Sequence, residues 1–412
     1  MATAYLTRSL SSTSTSWTFS AWVKRERFDL TNYLISWGNS GTDATGILFT
    51  SSGEFSYYSE APEYNHYKLT SAKYRDVSGW YHVVCKCDAG AITLYVNGEE
   101  PTQSWSSGSA GQALDTSTMA IGKWVTSAYY HHGYMTHVNF VDGTAYAPTS
   151  FGQSDSNGVW IPKPSPSVTY GTNGFFLKMD NSGNMGLDSG GGSNNFTTSG
   201  TITQAKDTPS NVFATWNSLI KTPHQLVYSN GNTTTASGGN SWYSTQSTLG
   251  VTSGKWYWEC KGLGADSMIG VASPTIDMNQ SLSISQTGTT FFYNQDGGEM
   301  RKDASNTTAD YGTLSTSDIL GIAFDMDNKT ITYYKNGVAF ITNYAISTAI
   351  TDTAMLSMNM YGGSNVINTN FGNGYFGTTA VTSAGANASD NGIFEYDVPT
   401  GYTALSTKGL NS

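Results

Sequence analysis

Ile92-Thr93-Leu94-Tyr95-Val96-Asn97-Gly98 and Ile331-Thr332-Tyr333-Tyr334-Lys335-Asn336-Gly337 are the two stretches that decide the fold. Each is a run of β-branched and aromatic residues that ends in Asn-Gly. That dipeptide accepts the two positive φ angles of a type I′ turn, whose twist matches its flanking strands. A second strand and a polar turn precede each copy. The first is Trp80-Tyr81-His82-Val83-Val84-Cys85-Lys86-Cys87 with Asp88-Ala89-Gly90; the second is Ile319-Leu320-Gly321-Ile322-Ala323-Phe324 with Asp325-Met326-Asp327-Asn328. The copies lie too far apart for a short-period solenoid or propeller. They predict two separate β domains of related architecture, a layout that suits binding better than catalysis.

The composition agrees. Aromatic residues make up 13% of the 412 positions, charged residues only 12%, and glycine fills 45 positions. Short aromatic and β-branched runs broken by glycine predict an all-β protein with many short strands. The net charge of −10 disfavours nucleic acid, because phosphate binding needs a basic patch and the densest basic run is Lys24-Arg25-Glu26-Arg27. No apolar run approaches the ~20 residues that span a bilayer, and no signal peptide is expected at Met1-Ala2-Thr3-Ala4-Tyr5-Leu6. Cys85, Cys87 and Cys260 have no disulfide-framework spacing, which predicts folding in a reducing cytoplasm with thiols as small apolar side chains. A Cys85-x-Cys87 metal site would need further ligands at suitable spacing, and none stand nearby.

Strands are expected over 17–24, 33–37, 46–50, 54–58, 79–87, 91–97, 119–123, 133–141 and 174–179. Their number and spacing suit a two-sheet sandwich of jelly-roll type. The strand Trp17-Thr18-Phe19-Ser20-Ala21-Trp22-Val23-Lys24-Arg25 and the 79–84 and 92–98 hairpin pair resemble the LamG-like jelly rolls of the concanavalin A-like sandwiches. Gly254-Lys255-Trp256-Tyr257-Trp258-Glu259-Cys260, Met268-Ile269-Gly270-Val271-Ala272, the 318–325 and 331–340 hairpin and Asn370-Phe371-Gly372 resemble SPRY domains in order and spacing. The expected architecture is two tandem antiparallel β-sandwiches, all-β. Residues 1–179 form the LamG-like jelly roll, 180–217 a Gly/Asn-rich connector and 218–375 the SPRY-like sandwich. A 376–412 tail packs on the second domain or on a neighbour. The passages 171–177 and 205–217 resemble a connector of bacteriophage structural proteins.

Catalytic signatures are absent. Laminarinase-like relatives of these sandwiches carry Glu-x-Asp-x-x-Glu on one strand, and the nearest match, Glu395-Tyr396-Asp397, lacks the third acid. No GxSxG elbow, HExxH or P-loop occurs. Asp180-x-Ser182-x-Asn184 with Asp188 imitates the start of a calcium loop, but Met185 and Gly191 occupy the places of the required glycine and glutamate. Calcium stays open, since some LamG-like domains hold one, although the sequence does not fix its ligands. The candidate ligand-binding residues are the aromatic and histidine side chains of two loops: Tyr57, Tyr58, Tyr64, His66 and Tyr67, then Tyr129, Tyr130, His131 and His132. Their flat faces suit sugar rings or protein anchors.

The functional expectation is a non-catalytic virion structural protein, first a tail-fibre or receptor-binding component and alternatively a head decoration protein or head fibre; a carbohydrate-active enzyme is the last-ranked reading, motivated only by fold kinship. Its expected partners are other virion proteins and host surface polysaccharide. The phage resemblance also implies a homo-oligomer, for instance a trimer.

Overall fold

A computed structural model describes residues 3–411 apart from 41–42, 61–64, 221–223, 279–285, 296, 304, 307–308 and 363–364. It divides the chain into two compact units, Met1–Gln204 and Ala205–Ser412. Among the described residues no helix is long and apolar enough to cross a membrane.

The first unit is a two-sheet sandwich. Its larger sheet runs in the order Thr197–Ser199, Tyr5–Ser9, Thr118–Ile121, Asn32–Ser40, Asp43–Phe49, Glu54–Glu60, His66–Lys73 and Gln103–Ser107. The smaller runs Phe175–Leu177, Gly133–Asp142, Trp17–Arg25, Tyr81–Asp88 and Ala91–Val96. Strand alternation sends Trp17, Phe19, Ala21 and Val23 into the core between the sheets. There Trp17 meets Trp37 edge-on at 5.1 Å and stacks on Tyr57 at 6.2 Å. Cys85 and Cys87 face the same core as free thiols. The outer face of the smaller sheet is covered. The hairpin Gly152–Ser154/Trp160–Pro162 lays Trp160 beside it, and the indole Nε1 donates to His82 Nδ1 at 2.9 Å.

The second unit is also a sandwich. One sheet runs Val227–Ser229, Thr234–Ala236, Val366–Asn370, Lys255–Lys261, Ile319–Asp325, Thr330–Lys335 and Val338–Ala345, with Thr403–Ala404 parallel to Lys255–Lys261. The other runs Trp242–Val251, Ala354–Tyr361, Ser267–Ala272, Thr289–Tyr293, Glu299–Lys302 and Ser305–Asn306.

The two Asn-Gly turns are built alike. Asn97 and Gly98 take φ of 52° and 85°, and Asn336 and Gly337 take 49° and 81°. Asn97 Oδ1 accepts from His82 N and its own N donates to the His82 carbonyl; Asn336 does the same with Ile319. An aromatic ring rests on each glycine, Trp160 on Gly98 and Tyr396 on Gly337.

The passage 180–217, expected from its composition to be a Gly/Asn-rich connector, buries several of its rings. Phe196 is buried in the first core, and Thr197–Ser199 extends the larger sheet beside Tyr5–Thr7. Phe213 and Trp216 are buried in the second unit. Burying three large rings outweighs the conformational freedom that the glycines and asparagines bring. The tail packs within the second unit: Phe394, Val398 and Ala404 cover the outer face of the first-described sheet against Tyr257, Ala323 and Phe213. Glu259 holds it there, its carboxylate accepting from Glu395 N at 2.8 Å and Tyr396 N at 2.9 Å.

Candidate aromatic binding face

The outer face of the larger sheet in the first unit carries a line of rings. Tyr33, Ala44, Leu48 and Trp124 form a small cluster there, with Tyr58 and Val125 packed against it. Trp124 lies 4.7 Å from Tyr33 and 5.8 Å from Tyr58, measured between ring centroids. Tyr58 meets Tyr67 edge-on at 5.6 Å, and Tyr129 lies 6.3 Å from Tyr33. Tyr33 and Trp124 form a buried floor, Tyr58 and Tyr67 are half-buried, and Tyr129 is 57% exposed.

Three local features place these rings. A bulge at Leu34 shifts the register between Tyr33, opposite Leu48, and Ile35, opposite Ile47. Tyr33 is thereby turned to the outer face while Leu34, Ile35 and Trp37 serve the core. Gly46 leaves the space that the floor fills, since a Cβ there would sit 2.7 Å from the Trp124 ring and 2.8 Å from Tyr33. The 124–129 loop is pinned by Ser36, whose hydroxyl donates to the Lys123 carbonyl and accepts from Val125 N, and it closes with Trp124 N donating to the Tyr129 carbonyl.

Among the described residues one carboxylate, Glu60, joins the rings. Tyr58 Oη donates to Glu60 Oε1 at 3.3 Å, and Glu60 Oε2 is buried with no hydrogen-bond partner among the described residues. Burial raises the Glu60 carboxyl above its ordinary range. Burial, followed by the nearby Glu60 charge, pushes the Tyr58 phenol up to about 12. The Tyr33 phenol is raised too, by burial and then by Tyr58, Tyr67, Glu60 and Tyr129.

Of the residues expected from the sequence, Tyr58, Tyr67 and Tyr129 come together here. Tyr130 lies toward the Tyr5–Ser9 end, 6.2 Å from Tyr5, with the Lys123 ammonium 4.5 Å above Tyr5 and 5.9 Å from Tyr130. Tyr64 lies outside the described residues. The other four are structural. Tyr57 points into the core, where its hydroxyl accepts from Gln112 N, because neighbours on a strand face opposite ways. His66 is buried, and its Nδ1 accepts from Ser109 N and Ala110 N, clipping that loop. His131 is buried, and burial depresses its pKa to about 3. His132 is buried beside Asn32, whose Oδ1 accepts from His132 N. Tyr33, Trp124 and Glu60 escaped the sequence reading. Only the odd placement of an aromatic in the Asn32-Tyr33-Leu34-Ile35 run hinted at the bulge.

In the oxygen-rich stretch 180–188, Asp188 and Asn184 accept from backbone N–H groups. Asp188 Oδ1 accepts from Phe176 N and Gly190 N and Oδ2 accepts from Asn194 N, while Asn184 Oδ1 accepts from Gly186 N.

Comparison with known proteins agrees with both sandwiches. The family model of the concanavalin A-like lectin/glucanases superfamily matches residues 2–149, and that of the SPRY domain matches 255–373. No curated protein matches the chain. Among solved structures, the SPRY domain of human HERC1 is 15% identical, covering 35% of this chain and 91% of its own, with a TM-score of 0.30. The TRIM65 PSpry domain is 11% identical, covering 38% and 88%, with a TM-score of 0.33. The heptameric SAP-like pentraxin of Limulus polyphemus is 17% identical, covering 35% and 72%, with a TM-score of 0.29. The chain carries a domain of the concanavalin A-like lectin/glucanases type followed by a SPRY domain.

Proposed function

We propose that this chain is a non-catalytic binding protein of a bacteriophage virion, a tail-fibre or receptor-binding component that holds a host surface glycan on the Tyr33–Trp124 face. The observation that carries the binding reading is the line of five rings on one sheet face, graded from a buried floor to the exposed Tyr129. Such rings offer apolar faces with polar rims, the chemistry that stacks against a pyranose. The non-catalytic reading is supported by where the reactive side chains lie. Glu395 and Asp397 cap backbone N–H groups of Thr382 and Ala386, and Ser20 Oγ and His82 Nε2, 2.9 Å apart, are buried. The virion reading rests on the phage-like passages 171–177 and 205–217 and on thiols that remain unpaired.

Two experiments test it. Host surface polysaccharide titrated into the whole chain should bind, and Tyr129→Ala should weaken binding at least fivefold without changing thermal stability. Unchanged affinity in that variant would remove this face from the reading. Gold-labelled antibody against the chain should decorate the tails of intact particles. Label over the capsid would make it a head decoration protein instead, and unlabelled particles would end the virion reading.

A further inference from the structure

An Asn-Gly pair is where a chain most readily attacks itself, because glycine puts no side chain between its backbone nitrogen and the asparagine amide. The sequence holds seven such pairs, and the fold restrains six. Asn173, Asn373 and Asn391 are buried. Asn97 and Asn336 are exposed, but each Oδ1 accepts from a backbone N–H across its hairpin, that of His82 and of Ile319, and an aromatic ring lies on each following glycine. Asn230 is exposed as well, but its Nδ2 donates to Thr234 Oγ1 and Gly231 is buried.

Asn157 differs from all of these. It stands with Gly158 at the tip of the Gly152–Ser154/Trp160–Pro162 hairpin, and both residues are exposed. Its side-chain amide has no hydrogen-bond partner among the described residues, and nothing lies within 4 Å of where a Cβ on Gly158 would stand. The turn leans on Asp155, whose Oδ1 accepts from Asn157 N and Val159 N at 2.9 Å each and whose carbonyl accepts from Gly158 N at 3.1 Å. Attack by Gly158 N therefore breaks one turn bond and meets a side chain free to rotate toward it, whereas the other exposed pairs must first release the asparagine amide.

We infer that Asn157 is a self-modification site, converted to aspartate and isoaspartate faster than any other Asn-Gly pair of the folded chain, and that the change loosens the Trp160 cover. Gly158 N bonds to Asn157 Cγ, the Cγ–Nδ2 bond breaks, and that nitrogen leaves as ammonia with the proton that Gly158 N loses. Water then opens the five-membered imide at either carbonyl; no oxidant or reductant takes part. One opening gives aspartate. The other routes the main chain through the former side chain as isoaspartate, one methylene longer. The longer turn draws the N–H groups of residues 157 and 159 off Asp155, beside the Trp160 that the hairpin lays on Gly98 and His82.

The test holds the whole chain at pH 8.5 and 37 °C, native and in urea, and follows each Asn-Gly pair by peptide mapping with mass spectrometry. In the native chain Asn157 should convert at least fivefold faster than the other six. In urea, where the fold restrains none of them, that lead should disappear. A native chain in which another pair leads, or in which Asn157 converts no faster than the rest, would overturn the inference. So would a lead that persists in urea, since the flanking sequence and not the fold would then be its cause. The aged parent should also unfold at a lower temperature in the transition of its first unit than Asn157→Gln aged alongside it. Equal midpoints at substantial conversion would show that this turn does not hold the Trp160 cover and would overturn that part of the inference.

Discussion

Gly337 shows how one atom can decide a turn. Its φ of 81° lies in the left-handed region, where side chains with a Cβ are strained, and the Tyr396 ring occupies the space a Cβ would need, 2.6 Å away. Gly337→Ala should therefore destabilise the second unit by about 2 kcal/mol. Asn336→Ala, which strips an acceptor from Ile319 N, should cost about 1 kcal/mol. Denaturant midpoints would measure both, and a midpoint for Gly337→Ala equal to the parent's would show that Tyr396 does not hold the turn. The Asn-Gly signal was legible because turn chemistry is local. The candidate site was less so. Tyr57 and Tyr58 are adjacent and chemically alike, yet one fills the core and the other faces out, and nothing in their own sequence says which. Their assignment is set by the pairing register, a property of the neighbouring strands.

At the scale of elements, irregularities hid what regular patterning would have shown. Strict alternation along Asn32–Ser40 puts Tyr33 with Ile35 and Trp37, and the bulge at Leu34 breaks that parity to create the aromatic floor. Trp124 follows the end of its strand, where periodicity carries no information, and it is placed by the Ser36 hydroxyl from a different strand. The 152–162 hairpin was not expected either, because its strands are three residues each. It nonetheless contributes a buried polar contact that can be tested. Trp160→Phe keeps a ring over Gly98 but removes the N–H that His82 Nδ1 accepts. The other nitrogen, Nε2, bonds Ser20 Oγ, so the imidazole is left one partner short in a buried site. Thermal denaturation should show the first unit losing about 1–3 kcal/mol, whereas a loss confined to a few tenths would mean that the ring alone holds this cover. In the tail, Phe394→Ala removes a buried ring packed edge-on against Tyr257 at 5.0 Å and should cost the second unit about 3–5 kcal/mol, read from its unfolding midpoint.

Across the whole molecule, the two units answer pH in opposite senses. In the first, burial depresses both His82 and His131 to about 3, from an ordinary value of 6.5. Their unfolded forms bind protons more readily than their folded forms, so stability is full above pH 6.5 and is lost as pH falls toward 3. His132 and His137 are lowered by burial as well and act in the same direction; the raised Glu60 opposes them. In the second unit, burial raises Glu259 to about 7 against the pull of the Glu395 and Tyr396 N–H groups. Here the folded form binds the proton more tightly, so stability is greatest below pH 4.5 and is lost as pH rises through 7. The depressed carboxyls of Asp318 and Asp325 change stability only below about pH 4, outside this window. Lowering pH from 7.5 to 5 should then cost the first unit about 2 kcal/mol for each of His82 and His131, and should add about 2 kcal/mol to the second. Each unit has its own core, so scanning calorimetry should resolve two transitions that move in opposite directions with pH. Glu259→Gln identifies the second: a glutamine side chain does not titrate, so that transition should stop rising as the solution is acidified, whatever stability the variant loses overall. Two transitions that both rise on acidification would mean that the buried imidazoles do not govern the first sandwich, and two that both fall would mean that the carboxylate under the tail does not govern the second.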